Sequence, residues 1–168
     1  DTSVEKIKQI FSGIEILCLE KNYKFAGAYN MAFKQVEFKD DYFLLLNNDT
    51  VVEPNLLDVL ISRSEVYTDS ILGPKICYYK DRDKIWYAGG EVDLSSGRIK
   101  HVGIRETNSK EYDLVSKTDY VTGCCMFSSK EIFFSLEGFD TRFNMYGEDV
   151  DFCLRAKQKG IDSFYIPE

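Results

Sequence analysis

Five apolar residues in a row, Tyr42 to Leu46, stop without transition in four polar ones, Asn47-Asn48-Asp49-Thr50. An apolar run of this length without polar alternation predicts a strand buried on both faces, as in a sheet covered by helices. Such a strand fixes the polar residues after it at one edge of the sheet. Pro54 then predicts the start of a helix, with Leu56, Leu57, Leu60 and Ile61 as its apolar stripe.

The same rhythm runs upstream and downstream. Val4, Ile7, Ile10 and Phe11 repeat at helical spacing, with Ser3 as cap and Gly13 as stop. Ile14 to Leu19 reads as a buried strand. Phe25 to Phe38 reads as a helix with Ala28, Met31, Ala32 and Gln35 turned inward or nearly so, and Ile71 to Tyr78 as a third strand. Alternation of this kind predicts an α/β fold: a Rossmann-like, mainly parallel sheet flanked by helices. Residues 79–118 break the pattern with Gly89-Gly90, Ser95-Ser96-Gly97, Gly103 and many charges, and read as an irregular excursion with hairpins. Tyr120 to Phe127 returns to strand and Lys130 to Leu136 to helix. Glu148 to Lys159 is a further helix stopped by Gly160, and Ser163 to Ile166 a closing strand.

The 168 residues suffice for one domain with a real core. A net charge of −7 disfavours nucleic acid as a partner, since a phosphate backbone wants a basic face. It leaves room for a nucleotide held through a divalent cation, which needs carboxylates. The five cysteines are odd in number and scattered, without a C-x-x-C pair. They read as reduced thiols in a cytosolic compartment. His101 is the one histidine and cannot anchor a histidine-rich metal site. No apolar run reaches the roughly 18 residues of a membrane span, and no signal peptide is visible. The chain opens in a helical pattern and stops just after a strand-like one, so both ends are expected to be cut, with a strand missing before residue 1.

Two places carry candidate chemistry. In open α/β sheets, ligands bind beyond the carboxyl ends of strands, which is where Asn47-Asn48-Asp49-Thr50 falls. Asp49 can give a hard oxygen ligand to Mg²⁺ or Mn²⁺; the plainer reading is a turn, for which Asn and Asp are also suited. The second place is Tyr146-Gly147-Glu148-Asp149, where two acids open a helix. The helix dipole alone favours acids there. The chemical reading is a general base aimed into a cleft. A calcium-binding EF-hand loop fails on spacing.

Four segments, taken together and in order, resemble family 2 glycosyltransferases of the GT-A (nucleotide-diphospho-sugar transferase) fold, in particular the rhamnosyltransferase-like branch. They are Asn22 to Asn30, Leu45 to Val52, Val121 to Met126, and Gly138-Phe139-Asp140 through Tyr146-Gly147-Glu148-Asp149 to Ala156. The resemblance implies a single GT-A catalytic domain over 1–168, incomplete at both ends. Residues 1–78 would form the nucleotide-sugar and metal half, 79–168 the acceptor half. Asn47-x-Asp49 resembles the family's D-x-D metal motif, so Asp49 with Asn47 would hold Mg²⁺ or Mn²⁺ on the donor diphosphate. Phe25, Ala26, Gly27 and Asn30 would line the donor nucleotide with Asn47 and Asn48, and Gly123 would lie near the donor sugar. Asp149 would be the catalytic base, with Glu148 beside the acceptor. Trp86, Gly89 and Gly90 fall where the family's acceptor contacts are expected, although a lone Trp can equally be core.

Departures from the family pattern bear on activity. Asn47 replaces the commoner first Asp, and Lys24 stands where Gly is usual. Asp1 resembles the second acid of a D-x-S-x-D stretch, so a base-reading Asp would precede it, and a metal-binding His would come after Glu168. The resemblance implies inverting transfer from a nucleotide-diphosphate sugar to a glycan or lipid-linked acceptor, in the cytoplasm or at the inner face of a membrane, where peripheral association is compatible. Asp49 and Asp149 should then face one another across one cleft. Two rivals remain on sequence alone: a sugar nucleotidyltransferase, which would release pyrophosphate, and a non-catalytic carbohydrate-binding module, which needs neither metal acid nor base.

Overall fold

The computed structural model describes residues 2–168. Asp1, likened to an acid of the D-x-S-x-D stretch, lies outside the described residues. In chain order the elements are α1 (Ser3–Ile10), α2 (Lys24–Gln35), β1 (Tyr42–Leu46), α3 (Leu56–Val66), β2 (Ile71–Pro74), β3 (Ile76–Tyr78), β4 (Asp81–Tyr87), β5 (Gly90–Asp93), β6 (Arg98–His101), β7 (Ser116–Thr118), β8 (Cys125–Ser129), α4 (Lys130–Ser135), α5 (Glu148–Gln158) and β9 (Ser163–Ile166).

The central sheet has five strands in the order β1-β8-β2-β9-β7. The α/β class holds, but the sheet is mixed rather than mainly parallel. Strand β8 lies between β1 and β2 and runs antiparallel to both, and β7 runs antiparallel to β9, so among the described residues β2–β9 is the one parallel pair. Between β2 and β8 the chain runs through two hairpins and β7, so no helical crossover sets β8 parallel to its neighbours. The hairpins β3–β4 and β5–β6 form their own two-stranded sheets.

Other expectations shift for identifiable reasons. Ile14 to Leu19 forms no strand: Ile14 is 54 % and Leu17 37 % exposed, and among the described residues no strand pairs with it to satisfy the main chain. Strand β8 starts only at Cys125, because Thr122 to Cys124 are used in a turn, closed by the Cys125 N–H donating to the Thr122 carbonyl at 3.3 Å. Helix α2 ends at Gln35, which is exposed; its fully buried residues are Ala26, Gly27 and Phe33. The apolar segment Ile71 to Tyr78 divides at Lys75 into β2 and β3.

Aromatic rings make up much of the core. Phe33 stacks on Phe133 at 3.6 Å and meets Phe43 edge-on at 4.9 Å; Phe139 and Phe152 continue the cluster at 4.9 Å. This wedge joins α2, α4 and α5 to one face of the sheet. It holds the amino end of α5 in place next to the carboxyl end of β1.

Candidate active site

The register of β1 on β8 sets Leu46 opposite Cys125. The loop leaving β1 therefore lies against the loop entering β8. The Asn47 N–H donates to the Cys124 carbonyl at 2.9 Å and ties the two loops together. Within the polar quartet, the Thr50 hydroxyl donates to the Asn47 carbonyl at 2.6 Å, so the segment is a turn. That bond leaves the side chains of Asn47, Asn48 and Asp49 without a hydrogen-bond partner among the described residues. Asn47 is half-buried, while Asn48 and Asp49 are exposed. Being a turn thus does not use up the side-chain oxygens of Asn47, Asn48 and Asp49.

The approach to α5 is conformationally demanding. Tyr146 (φ 68°) and Gly147 (φ 95°) both occupy the left-handed region, natural for glycine and strained for tyrosine. A side chain at Gly147 would also press on the Phe143 ring at 3.1 Å. Glu148 and Asp149 emerge directly from this bend. Asp149 accepts the Gly123 N–H on Oδ2 at 2.9 Å and the Val150 N–H on Oδ1 at 2.9 Å. The second contact belongs to the helix start. The first reaches 26 residues back along the chain and is not something a helix cap requires.

The two candidate acids therefore meet one turn, Thr122–Cys124. Asp149 holds Gly123 directly. On the other side, the Cys124 thiol is pushed up to about 11, first by burial and then by the charge of Asp49. Asp149 acts on a second group of side chains as well: its charge reaches Tyr87, His101, Tyr120 and Cys153. A cavity of about 290 Å³ lies near the carboxyl end of α5, lined by Gly89, Gly90, Lys117, Asp119, Lys157 and Asp162 among others, and neither Asp49 nor Asp149 lines it.

Glu148 differs from its neighbour. It is 6 % exposed, and its Oε2 is buried with no hydrogen-bond partner among the described residues. Burial raises its pKa, the charge of Asp149 adds to this, and a main-chain hydrogen bond opposes it. A buried carboxylate oxygen without a donor keeps its full capacity to accept a hydrogen bond.

Of the residues expected along the donor nucleotide, Phe25 packs directly against Gly123. A Cβ on Gly123 would fall 2.6 Å from Phe25 Cζ, so the turn can close over the ring only as glycine. Phe25 is held edge-on by Tyr29 at 4.6 Å and Phe139 at 5.6 Å. Ala26 and Gly27 are buried. The Asn30 amide is committed to the main chain of Phe139: Nδ2 donates to its carbonyl at 2.7 Å and Oδ1 accepts its N–H at 2.9 Å.

On the expected acceptor side, Gly89 (φ 104°) and Gly90 are buried. The Gly90 N–H donates to Thr118 Oγ1 at 2.6 Å, and a Cβ on Gly90 would lie 2.1 Å from Tyr120 Cε1. Gly90 lets strand β5 approach Tyr120. Trp86 is half-buried and meets His101 edge-on at 4.5 Å. His101 is the residue that sequence reasoning passed over as a metal ligand and assigned no other role. Its partner lies 15 residues away in a neighbouring hairpin, a pairing that no local spacing shows.

Among the described residues, no group of three or more His, Cys, Asp or Glu side chains is arranged to hold a metal ion. One exposed carboxylate flanked by two free amides does not make a self-sufficient cage. It does match a Mg²⁺- or Mn²⁺-type ion that brings its own phosphate and water oxygens.

The sequence matches the family model described as glycosyl transferase family 2 over residues 1–134. The chain belongs to glycosyl transferase family 2. It is 27 % identical over 175 residues to rhamnosyltransferase WbbL of Escherichia coli (strain K12), covering 98 % of this chain and 65 % of that protein. It is 30 % identical over 146 residues to the O-antigen biosynthesis protein RfbC of Myxococcus xanthus, covering 83 % and 11 %. A third relative is the low-salt glycan biosynthesis hexosyltransferase Agl10 of Haloferax volcanii, 26 % identical over 145 residues, covering 84 % and 45 %. The chain thus spans less than two thirds of the length of each of these relatives. The family 2 match ends at Phe134, before Glu148 and Asp149; the alignment with the E. coli protein extends across α5.

Proposed function

We propose that this chain forms part of an inverting family 2 glycosyltransferase that moves a sugar from a nucleoside-diphosphate donor to a hydroxyl of a glycan or lipid-linked acceptor in cell-surface polysaccharide synthesis. Its relatives, a rhamnosyltransferase, an O-antigen biosynthesis protein and a glycan hexosyltransferase, support the substrate class. The setting we infer is the cytoplasm, at the inner face of a membrane where the acceptor is lipid-linked. The five unbridged thiols suit a reducing compartment. Among the described residues, no helix is long and apolar enough to cross a membrane.

One observation carries the mechanism: Asp149 and the Asn47–Asp49 turn are both hydrogen-bonded to the Gly123–Cys124 main chain. A carboxylate fixed by two N–H groups has spare lone pairs to take a proton and little freedom to turn away. In the proposed step, Asp149 accepts the proton of the acceptor hydroxyl as that oxygen bonds to the anomeric carbon. The bond from this carbon to the diphosphate oxygen breaks, and its electron pair leaves with the nucleoside diphosphate. Asp49 with the Asn47 amide oxygen would hold a divalent cation, which supplies charge neutralisation to the departing diphosphate. Glu148, with its unpartnered oxygen beside the base, would receive a second acceptor hydroxyl.

The test is product analysis with the full-length protein and a set of UDP-, dTDP- and GDP-sugars, with Mn²⁺ and with EDTA. The expected product is free nucleoside diphosphate, formed only with the cation. Release of pyrophosphate would point instead to nucleotidyl transfer, and turnover undiminished by EDTA would remove the metal from the mechanism.

A further inference from the structure

His101 closes strand β6, and no step of the proposed transfer uses it. Its Nδ1 lies 3.1 Å from the Trp86 carbonyl oxygen. A carbonyl can only accept, so Nδ1 carries the proton and the neutral ring leaves Nε2 with a free lone pair. Nε2 has no hydrogen-bond partner among the described residues, and it is absent from the buried, unpartnered atoms, so it reaches solvent. The ring is framed by Trp86 at 4.5 Å, Tyr87 at 5.2 Å and Tyr120 at 5.9 Å. The imidazole is thereby fixed in both tilt and tautomer. Burial, the largest influence, lowers its pKa, while the Trp86 carbonyl and Asp149 act the other way. It therefore stays neutral at pH 7, with Nε2 as an acceptor.

Its place in the fold gives this acceptor a meaning. The Asp149 charge reaches His101 and the two tyrosines that frame it. Tyr87 is also bonded through its hydroxyl to the Tyr120 carbonyl at 2.7 Å, immediately before the Val121–Gly123 segment that holds Asp149. The hairpin side chain and the base are thus joined through a short rigid path. A half-buried indole beside a hydrogen-bond acceptor suits a pyranose, which offers an apolar face and a rim of hydroxyls.

We propose that His101 is an acceptor-recognising residue, its Nε2 accepting a hydrogen bond from a sugar hydroxyl next to the one that reacts at Asp149. This rests on the glycosyltransferase reading. The residue acts on the acceptor and not on the donor, which lies on the Asp49 side of the turn.

Steady-state kinetics on the full-length protein test it, with methyl pyranosides of glucose, galactose, rhamnose and N-acetylglucosamine as acceptors, and with hydrolysis of the donor by water as the internal control. His101→Phe keeps a ring against Trp86 and Tyr120 but has no nitrogen. It should raise the KM of a productive glycoside roughly three- to ten-fold, the size of one neutral hydrogen bond. The donor KM and the hydrolysis rate should stay within about two-fold. His101→Gln, whose amide oxygen falls near the Nε2 position, should recover part of the loss. An acceptor KM unchanged in the Phe variant overturns the proposal, as does a loss shared equally by transfer and hydrolysis, or a parent that hydrolyses donor yet uses no pyranoside. A parent that neither hydrolyses nor transfers sinks the glycosyltransferase reading itself, and this inference with it.

Discussion

Asp149 and Asp49 are held in opposite ways. Asp149 stands at a helix start reached through two left-handed residues, and both of its oxygens are bonded to main-chain N–H groups. Asp49 sits on an exposed turn whose internal bond uses Thr50 and the Asn47 carbonyl, leaving its carboxylate without a partner among the described residues. The difference fits the tasks proposed for them. A base must be oriented before the substrate arrives, since misplacement loses most of its advantage. A ligand to an ion that travels with a diphosphate is completed by the substrate, so little has to be built in advance.

The sharpest way to break this comparison is to neutralise the fixed acid. Asp149→Asn keeps a carbonyl oxygen for the Gly123 N–H but cannot take a proton. Turnover in the full-length protein should fall by roughly 10²–10⁴-fold, with donor affinity unchanged. A variant that transfers sugar at the parent rate would remove Asp149 from the chemistry.

Gly123→Ala attacks the turn that both acids share. The new Cβ would lie 2.6 Å from Phe25 Cζ, and the ring is hemmed in by Tyr29 and Phe139. Overpacking of this kind costs about 1–3 kcal/mol, or roughly 2–4 °C in Tm per kcal/mol for a chain of this size. Adding Phe25→Ala makes room, so the double variant should regain part of what Gly123→Ala alone loses. Strict additivity would show that the clash is not where the cost arises.

The sequence showed some of this and hid the rest, for physical reasons. Tyr42–Leu46 and Ser163–Ile166 were readable because buried strands leave dense apolar runs, and both appear with the expected bounds. The Glu148 helix was readable because glycine, acids and period agree. Strand direction was not, since β8 joins the sheet antiparallel only after an excursion whose course depends on hairpin geometry. Ile14–Leu19 had the composition of a strand, but composition supplies no neighbour. At the site, the acids were visible as residue types. The bond from Asp149 to Gly123, the double clamp of Asn30 on Phe139, and the His101–Trp86 pair join distant segments, and no periodicity encodes them.

Asp49→Ala tests the loosely held side. It should weaken nucleoside-diphosphate binding about tenfold when Mn²⁺ is present, equal to roughly 1.4 kcal/mol, and change little in EDTA. Calorimetric titration of UDP and dTDP with and without the cation measures both arms. Because the Asp49 carboxylate has no fold partner among the described residues, Tm should hardly move. A clear drop in Tm would mean that the turn depends on Asp49 after all, and the contrast with Asp149 would blur.

The smallest expected effect lies one residue from Asp149, and it gives a signature in pH. Glu148 has an ordinary pKa of 4.5, which burial and the charge of Asp149 raise in the fold. Below that ordinary value the carboxyl is protonated whether folded or unfolded, and it imposes no penalty. As pH rises through 4.5 toward the raised value, the unfolded chain releases a proton that the folded chain retains, so stability falls; above both values the deficit is constant. Glu148→Gln keeps the shape and removes the charge. It should therefore raise stability modestly at pH 7, while its curve of Tm against pH converges on the parent's in acid. The same substitution should slow transfer if the orphaned oxygen receives the acceptor, so stability and activity would move in opposite directions. Parallel melting curves from pH 4 to pH 7 would show instead that this buried carboxyl finds a partner in solution, and that Glu148 belongs with the fold and not with the site.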